Sequence, residues 1–572
     1  MANPLLHIKN LSIDFITGGK ITKALQNINI SVNRGEILAI VGESGSGKSV
    51  TSLSILQLLP SPPAVYRSGE IILTADKEPV DMLKTTINQL TTIRGNQVAM
   101  IFQEPMSSLN PVFTCGFQVM EAIRLHKKIS SEEAKKRTIT LFEKVQLPDP
   151  EGMFHRYPHQ LSGGQKQRVM IAMAMSCEPS LLICDEPTTA LDVTVQKNIL
   201  ELIRALQVQN NMGVIFITHD LGVVAEIADR IAVMYKGQIV EQAPAKALFA
   251  APQHPYTKAL LACRPALHPK GERLPVVSDF MELDERGEIV EKFGIWSLES
   301  GVVFSQTEKT KLLTVENLKV YFPSKKTFLG KTISFVKAVD DISFDLYEGE
   351  TLGLVGESGC GKSTLGRTLL RLIDATGGSI HYKGADLLKM SPKAMVSLRK
   401  DMQIIFQDPF SSLHPRMSIG DAIAEPLLVH RLIKGAGERK EKVMELLEKV
   451  NLKPEYFNRY PHEFSGGQRQ RIVIARALAL QPSFIICDES VSALDVSVQA
   501  QVLNLLNDLK KEFGFTAIFI SHNLSVVRYI SDRIMVMNRG RIEEMGPADQ
   551  VYHHPQSAYT QKLIASIPGS LV

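Results

Sequence analysis

The chain has 572 residues, of which 44% are hydrophobic and 22% charged, with 38 glycines and 29 prolines. This composition is ordinary for globular proteins and excludes a collagen-like, coiled-coil or wholly disordered chain. A net charge of +4 is too small for this length to indicate a nucleic-acid binder.

Cysteine usage and hydropathy indicate the cellular compartment. The six cysteines are scattered and none forms a CxxC pair, so neither a disulfide scaffold nor a zinc ribbon is expected. The first ten residues lack the basic and apolar regions of a signal peptide. No uncharged apolar run reaches the roughly 18 residues that a bilayer-spanning helix needs. We therefore expect a soluble, cytoplasmic protein of several domains.

The first chemical motif joins a strand to a helix. The apolar run Ile37–Val41 predicts a short buried strand, and the residues after Ser49 predict a helix. Between them, residues 42–49 have the phosphate-loop pattern, in which backbone N–H groups surround phosphate oxygens and the helix dipole assists. We predict that Lys48 reaches the β- and γ-phosphates and that Ser49 binds Mg²⁺. The predicted binding residues of this loop are Gly42, Ser44, Gly45, Gly47, Lys48 and Ser49.

Gln103 and a Ser-Gly-Gly-Gln run come next along the first half. A lone glutamine is usually a surface residue, so Gln103 is a weak signal by itself. Ser162-Gly163-Gly164-Gln165 precedes a basic, helix-forming segment. Such a turn is a helix cap and also a second anion site. One domain with two phosphate-binding helix starts indicates a partner domain that shares the nucleotide.

Two later strands of the first half end in polar residues. The apolar run Leu181–Cys184 leads into Asp185 and Glu186, and acids at the carboxyl end of a parallel strand lie where such folds bind ligands. We predict that Asp185 holds Mg²⁺ and that Glu186 polarises the attacking water. His219 follows the β-rich run Val214–Ile217, from which its imidazole could hydrogen-bond a γ-phosphate.

Every one of these motifs returns, in the same order, in the second half of the chain. A repeat of this length indicates the duplication of a whole domain, and two phosphate loops in matching contexts make chance similarity negligible. The residues of the second set are Gly356, Ser358, Gly359, Gly361, Lys362, Ser363, Gln407, Ser465, Gly466, Gly467, Gln468, Asp488, Glu489 and His522. We predict one domain at 1–262, a linker at 263–309 and a second domain at 310–572. The linker contains the only tryptophan, Trp296, and a small third domain is the alternative interpretation.

The set of motifs resembles that of the ATP-binding cassette ATPases over about 1–262 and 310–572. The resemblance implies an α/β fold: two P-loop NTPase domains, each with a RecA-like α/β core, an antiparallel β subdomain and a helical subdomain. The run Phe102–Pro111, its counterpart around Gln407 and the tail His254–Thr257 are similar to those of importers of dipeptides, oligopeptides, glutathione and nickel chelates. The resemblance therefore implies an ATP-hydrolysing importer subunit. Its expected partners are two membrane permeases and a solute-binding protein, and it is not expected to bind nucleic acid. The implied location is the cytoplasmic face of the bacterial inner membrane.

The resemblance also assigns roles that residue chemistry alone does not. Two cassettes would pair head to tail, with ATP and Mg²⁺ between the phosphate loop of one and the Ser-Gly-Gly turn of the other. Phe15 and Phe322 would stack on adenine, and Gln103 and Gln407 would join the metal ligands. Glu186, His219, Glu489 and His522 would be the catalytic residues, and Asp192 and Asp495 would complete the opposite site. Both sites keep their lysine, acids and histidine, so we predict that both hydrolyse ATP.

Two other classes of tandem cassette are weighed against the importer. Ribosome-associated translation factors share the ATP motifs, but they usually join their cassettes by a long charged helical arm, whereas this linker is rich in proline. DNA-repair cassettes would need zinc-spaced cysteines, which this sequence lacks.

Cys360 lies within the second phosphate loop, and it is either a filler equivalent to Ser46 or a thiol made reactive by the helix start. The single cysteine after the first tail, Cys263, predicts no iron–sulfur centre.

Overall fold

The computed structural model describes residues 4–75, 78–104, 108–189, 191–283, 289–292, 310–326, 332–492 and 494–568. The chain divides into two compact units. The first contains the chain up to Leu261 together with Phe280–Lys292, and the second contains Ala262–Asp279 and the described part of Phe293–Ile567. The predicted domain bounds at 262 and 310 stay a prediction, and the end of the predicted linker, with Trp296, lies outside the described residues.

The first unit is built from two larger β-sheets, a small hairpin and surrounding helices. Its strands are β1 (Leu6–Thr17), β2 (Lys20–Val32), β3 (Ile37–Val41), β4 (Ala64–Leu73), β5 (Val80–Asp81), β6 (Val98–Ile101), β7 (Leu181–Asp185), β8 (Gly213–Ile217), β9 (Arg230–Tyr235), β10 (Gln238–Pro244), β11 (Met281–Leu283) and β12 (Ile289–Glu291). The helices up to this point of the chain are α1 (Lys48–Ile55), α2 (Ile87–Ile93), α3 (Cys115–His126), α4 (Ser131–Lys144), α5 (Pro150–Phe154), α6 (Gly163–Ala174), α7 (Val193–Asn210), α8 (Leu221–Ile227), α9 (Ala245–Ala250), α10 (Pro255–Ala262) and α11 (Val277–Phe280).

The central sheet of the first unit has the order β10-β9-β3-β8-β7-β6 and is parallel except for β10. All five residues of β3, β7 and β8 are buried, because apolar residues cover both faces of the sheet. The two faces join different cores, since side chains alternate along a strand. Leu38 and Ile40 pack with the antiparallel sheet β2-β1-β4-β5. Ile37 packs on the other face with α3 to α6. This is the predicted parallel α/β core with an antiparallel sheet and a helical part.

The second unit repeats this arrangement. Its strands are β13 (Lys311–Lys326), β14 (Thr332–Tyr347), β15 (Thr351–Val355), β16 (Gly377–Tyr382), β17 (Ala385–Asp386), β18 (Met402–Ile405), β19 (Phe484–Asp488), β20 (Thr516–Ile520), β21 (Arg533–Asn538) and β22 (Arg541–Pro547). Its helices are α12 (Lys362–Leu369), α13 (Pro392–Leu398), α14 (Ile419–Val429), α15 (Ala436–Lys449), α16 (Gly466–Leu478), α17 (Val496–Phe513), α18 (Leu524–Ile530), α19 (Ala548–His553) and α20 (Ala558–Ala565). The sheet orders are β18-β19-β20-β15-β21-β22 and β14-β13-β16-β17.

Ala262–Asp279, here called the docked segment, packs on the second unit although it follows the first tail. The buried side chain of Asn504 on α17 accepts from Leu274 N at 2.9 Å and donates to Leu274 O at 2.8 Å. Tyr529 donates to Glu272 O at 2.6 Å, and Lys270 forms an ion pair with Asp532. These side-chain bonds hold the segment between its short helical turns at Pro265–Leu267 and Val277–Phe280, although its sequence has no sustained strand or helix periodicity.

In the described part of the chain, the hydrophobic helices pack in the cores of the two units. None of them combines the length and the apolarity that crossing a bilayer requires.

Candidate nucleotide-binding sites

The phosphate loop of the first unit follows β3 and ends at α1, as predicted. Gly42 has φ 152°, and a Cβ there would collide with Met234 O. Gly47 has φ 105°, and its Cβ would lie 2.7 Å from Leu25 Cδ2. Glycine is therefore required at both positions, because the backbone is left-handed and neighbouring strands approach closely. The loop curls at the carboxyl edge of the central sheet.

Lys48 is folded back over its own loop. Its side chain is 5% exposed, and Nζ donates to Gly42 O at 2.7 Å and to Glu43 O at 2.9 Å. Two carbonyls thus hold the ammonium at the mouth of the loop. Beside it, Ser49 Oγ donates to Asp185 Oδ1 at 3.2 Å. Burial raises the pKa of Asp185 above its ordinary value, although the Ser49 hydroxyl acts in the opposite direction.

Glu186 lies at the end of β7 and is held by three side chains. Its carboxylate accepts from Gln103 Nε2 at 3.1 Å and from Thr189 Oγ1 at 2.9 Å, and it lies 3.2 Å from His219 Nδ1. Glu186 and His219 meet because β7 and β8 are neighbours in the sheet. Burial opposes ionisation of Glu186, but the hydrogen bond and charge of His219 and the Thr189 hydroxyl outweigh it, so its pKa is lowered. Glu186 has φ 48°, an uncommon left-handed backbone for a non-glycine residue.

The second unit reproduces the loop and its lysine. Lys362 Nζ donates to Gly356 O at 2.7 Å and to Glu357 O at 3.0 Å. Ser363 Oγ donates to Asp488 Oδ1 at 2.7 Å, and Arg367 adds an ion pair to Asp488 at 3.6 Å. Burial raises the pKa of Asp488, with Ser363 and Arg367 acting against it.

Among the described residues, fewer side chains donate to the second glutamate than to the first. Glu489 accepts from Gln407 Nε2 at 2.7 Å and lies 3.7 Å from His522 Nδ1. Burial opposes its ionisation, but His522 and Lys362 outweigh burial and lower its pKa. Ser492 stands where the first unit has Thr189, and its shielded hydroxyl has no hydrogen-bond partner among the described residues. The two sites are therefore similar but not equivalent.

The Ser-Gly-Gly turns begin α6 and α16. Ser162 Oγ accepts from Gln165 N at 3.3 Å while Gln165 Oε1 accepts from Ser162 N at 3.0 Å, which is a capping box. Ser465 and Gln468 form the same pair. Gly164 also permits close packing, since a Cβ there would lie 2.7 Å from Val195 Cγ1 on α7.

The remaining predicted residues lie on the elements around the loops. Phe15 is half-buried in β1, and Phe322 on β13 is 40% exposed. Each lies on the strand next to β2 or β14, and these strands contact Gly47 and Gly361. Asp192 caps α7 by accepting from Val195 N at 2.9 Å. The middle of the predicted Phe102–Pro111 run, residues 105–107, lies outside the described residues.

Four residues at these sites were missed by the motif reasoning. They are Thr189, Arg367, and the tail tyrosines Tyr256 and Tyr559, whose hydroxyls accept from the phosphate-loop amides Glu43 N and Glu357 N. Thr189 lies three residues after the predicted Glu186, and Tyr256 lies within the tail His254–Thr257 that the sequence analysis singled out. The sequence pattern at these two positions does not indicate which atom each hydroxyl contacts.

These duplicated loops, acids and histidines define the class of protein. The chain belongs to the ABC transporter family, whose model matches residues 25–189 and 339–492. Proteins of this class bind and hydrolyse ATP, so the predictions of a nucleotide-binding ATPase with two P-loop domains are confirmed. A second family model, described as the oligopeptide/dipeptide transporter C-terminal region, matches the tails at 240–285 and 544–570.

Curated relatives extend the similarity along almost the whole chain. Three of them are glutathione import ATP-binding proteins, and in each case 99% of this chain is covered. The protein of Pectobacterium atrosepticum is 49% identical, with 89% of its own length covered. Those of Shigella boydii and Escherichia coli K12 are each 50% identical, with 90% of their length covered. The predicted resemblance to the importer family is confirmed.

Proposed function

We propose that the chain is the ATP-hydrolysing motor of an importer for peptides of the dipeptide, oligopeptide and glutathione class. The observation that carries the proposal is the match of both tails to the oligopeptide/dipeptide transporter region. About half of all positions are also identical to glutathione import ATP-binding proteins. A ribosome-associated tandem cassette is not favoured, because these tails are a transporter feature.

In the proposed mechanism, each phosphate loop binds a triphosphate and its lysine changes partners. Lys48 and Lys362 exchange the loop carbonyls that now hold them for β- and γ-phosphate oxygens. Phe15 and Phe322 stack on adenine. The proposal is supported by the way each lysine is held at the mouth of its loop, since an ammonium placed there needs only a small movement to meet a phosphate.

The glutamates and histidines at the strand ends have different tasks in this proposal. Glu186 and Glu489 position and polarise the attacking water, and their lowered pKa keeps them ionised for this role. His219 and His522 hydrogen-bond the γ-phosphate from the same edge of the sheet. The contact of each histidine with its glutamate supports a shared position around the terminal phosphate.

The residues at the loop also fit Mg²⁺. Ser49 and Asp185, and likewise Ser363 and Asp488, place a hydroxyl beside a carboxylate, and hard oxygen donors are the ligands that this ion prefers. Gln103 and Gln407 supply further side-chain oxygens. Bound Mg²⁺ would neutralise charge on the phosphate oxygens.

Each ATP would be closed in by the Ser-Gly-Gly turn of the other cassette, with Ser162, Gly163, Gly164 and Gln165 serving one nucleotide. Ser465, Gly466, Gly467 and Gln468 would serve the other. Both turns begin helices of twelve or more residues, and such helix starts attract anions. Closure and release would move two separate permease subunits at the cytoplasmic face of the inner membrane, supplied by a solute-binding protein.

Uptake in cells tests the proposal. A strain that lacks its own peptide importers would receive this chain together with candidate permease subunits and a candidate solute-binding protein from the same genome. We expect ATP-dependent uptake of labelled glutathione, dipeptide or oligopeptide, and no uptake with Lys48→Ala and Lys362→Ala together. If none of the three labelled compounds enters while the chain associates with ribosomes, the proposal is wrong.

A further inference from the structure

Both tails reach the phosphate loop of their own unit through one tyrosine. Tyr256 on α10 has a fully buried side chain, and its hydroxyl accepts from Glu43 N at 3.1 Å. Tyr559 on α20 accepts from Glu357 N at 3.3 Å. More than two hundred residues separate the partners in each pair. The same contact therefore forms twice, independently, in one chain.

The residue that each tyrosine holds also contacts the lysine of the phosphate loop. The carbonyl of Glu43 accepts from Lys48 Nζ, while the amide of Glu43 donates to Tyr256. The carbonyl of Glu357 accepts from Lys362 Nζ in the same way. A hydrogen bond on the amide of a residue limits rotation of its backbone, and so it limits the direction in which the lysine is held.

The start of each tail is fastened to the core sheet, which gives the tyrosine a firm base. Glu241 on β10 accepts from Gln253 N at 2.9 Å and from His254 N at 3.0 Å. In the second unit, Glu544 on β22 accepts from Gln556 N and Ser557 N at 2.9 and 3.0 Å. The carboxylate satisfies backbone donors just before each tail helix. The tyrosine is thus placed by a rigid element rather than by a loose loop.

We propose that Tyr256 and Tyr559 are positioning residues for nucleotide binding: through Glu43 and Glu357 they hold each phosphate loop, and with it Lys48 and Lys362, in the shape that accepts a triphosphate. The tails that match the peptide-transporter region therefore have a task at the ATP sites in addition to any contact with partners. This inference rests on the proposed binding of nucleotide at the two loops.

Removal of the hydroxyl alone tests the proposal in the full-length chain. Tyr256→Phe is measured in a chain whose second loop is disabled by Lys362→Ala, and Tyr559→Phe in a chain carrying Lys48→Ala. Affinity is measured by titration with a fluorescent ATP analogue. We expect the dissociation constant to rise about three- to tenfold in each case, as the loss of one hydrogen bond predicts. The rate at saturating ATP should change by less than about twofold, because the glutamates are not affected.

Tyr552→Phe is the matched control, since its hydroxyl lies 3.3 Å from Ser525 Oγ, away from the loop. It should leave the affinity unchanged. If both tail variants lose melting temperature but bind the nucleotide as tightly as their parents, the tyrosines are only structural and the inference is wrong. If the Lys48→Ala and Lys362→Ala chain still binds nucleotide normally, the assignment of the loops fails instead.

Discussion

Thr189 donates its hydroxyl to the Glu186 carboxylate at 2.9 Å, three residues further along the same turn. The corresponding Ser492 does not reach Glu489, and its hydroxyl has no partner among the described residues. β-branched threonine has fewer side-chain rotamers than serine, so a fixed hydroxyl is easier to maintain at the first site. The two glutamates therefore differ in how firmly each is oriented.

This difference predicts unequal effects of matched substitutions. Thr189→Val, in a chain that turns over only at the first site because of Glu489→Gln, should lower the maximal ATPase rate about three- to tenfold. Thr189→Ser should restore part of it. Ser492→Ala in the Glu186→Gln chain should change the rate by less than about twofold. Phosphate release under saturating ATP measures all three, and equal losses at both sites would contradict the proposed asymmetry.

The role of the glutamates in hydrolysis gives a second prediction. Glu186→Gln together with Glu489→Gln keeps the side-chain volume but removes the charge that polarises water. Hydrolysis should fall by about 10²–10⁴-fold while ATP stays bound. Retained nucleotide is measured after gel filtration, and phosphate release is measured in the same sample. Normal turnover in the double variant would remove the proposed role.

The buried thiol in the second loop predicts resistance to thiol reagents. Cys360 is buried, and burial raises the pKa of its thiol although Lys362 acts in the opposite direction. The interpretation as a filler equivalent to Ser46 is therefore favoured over a reactive thiol. We expect a maleimide at neutral pH to have the same small effect on the activity of the wild-type chain and of Cys360→Ser. Protection of activity by the serine alone would show that the thiol is reactive.

The docked segment predicts an effect on the stability of the second unit. Asn504 is 7% exposed and pairs both backbone groups of Leu274. Asn504→Ala leaves those groups buried without their partner, at a cost of about 1–3 kcal/mol each. We expect a lower free energy of unfolding of the second unit and faster hydrogen exchange at the Leu274 amide. Exchange at the wild-type rate would mean that the segment is held by other contacts.

The sequence predicted the sites where local pattern and chemistry coincide. The strand Ile37–Val41 matches β3, because a fully apolar five-residue run between a turn and a glycine loop has little alternative. The predicted strand Leu181–Cys184 corresponds to β7, which is one residue longer because it includes Asp185. The predicted strand Val214–Ile217 corresponds to β8, which begins one residue earlier. The acids and histidines fall together because the parallel sheet aligns the ends of its strands.

The contacts that were not predicted depend on the direction of single hydroxyls and amides across long stretches of chain. Tyr256 was recognised as part of a tail, but its partner Glu43 lies 213 residues away. Likewise, the prolines of the segment after 262 indicated a linker, but the side chains of Asn504, Tyr529 and Asp532 hold it on the second unit. Periodicity does not report such pairings, since it reflects burial and not hydrogen-bond partners.

The close approach of Gly164 to Val195 affects how mutants of this protein are interpreted. An alanine at Gly164 disturbs helix packing as well as any phosphate contact, so an inactive variant would leave its cause ambiguous. Among the described residues, no atom lies within 4 Å of a Cβ added at Gly466, and a Cβ at Gly163 meets only Leu191 Cδ2 at 3.7 Å. Alanine substitution of Gly163 or Gly466, the first glycine of each pair, therefore tests the proposed phosphate contact without disturbing helix packing. Substitution of the second glycine of a pair also changes the packing, so its effect on activity has to be interpreted separately.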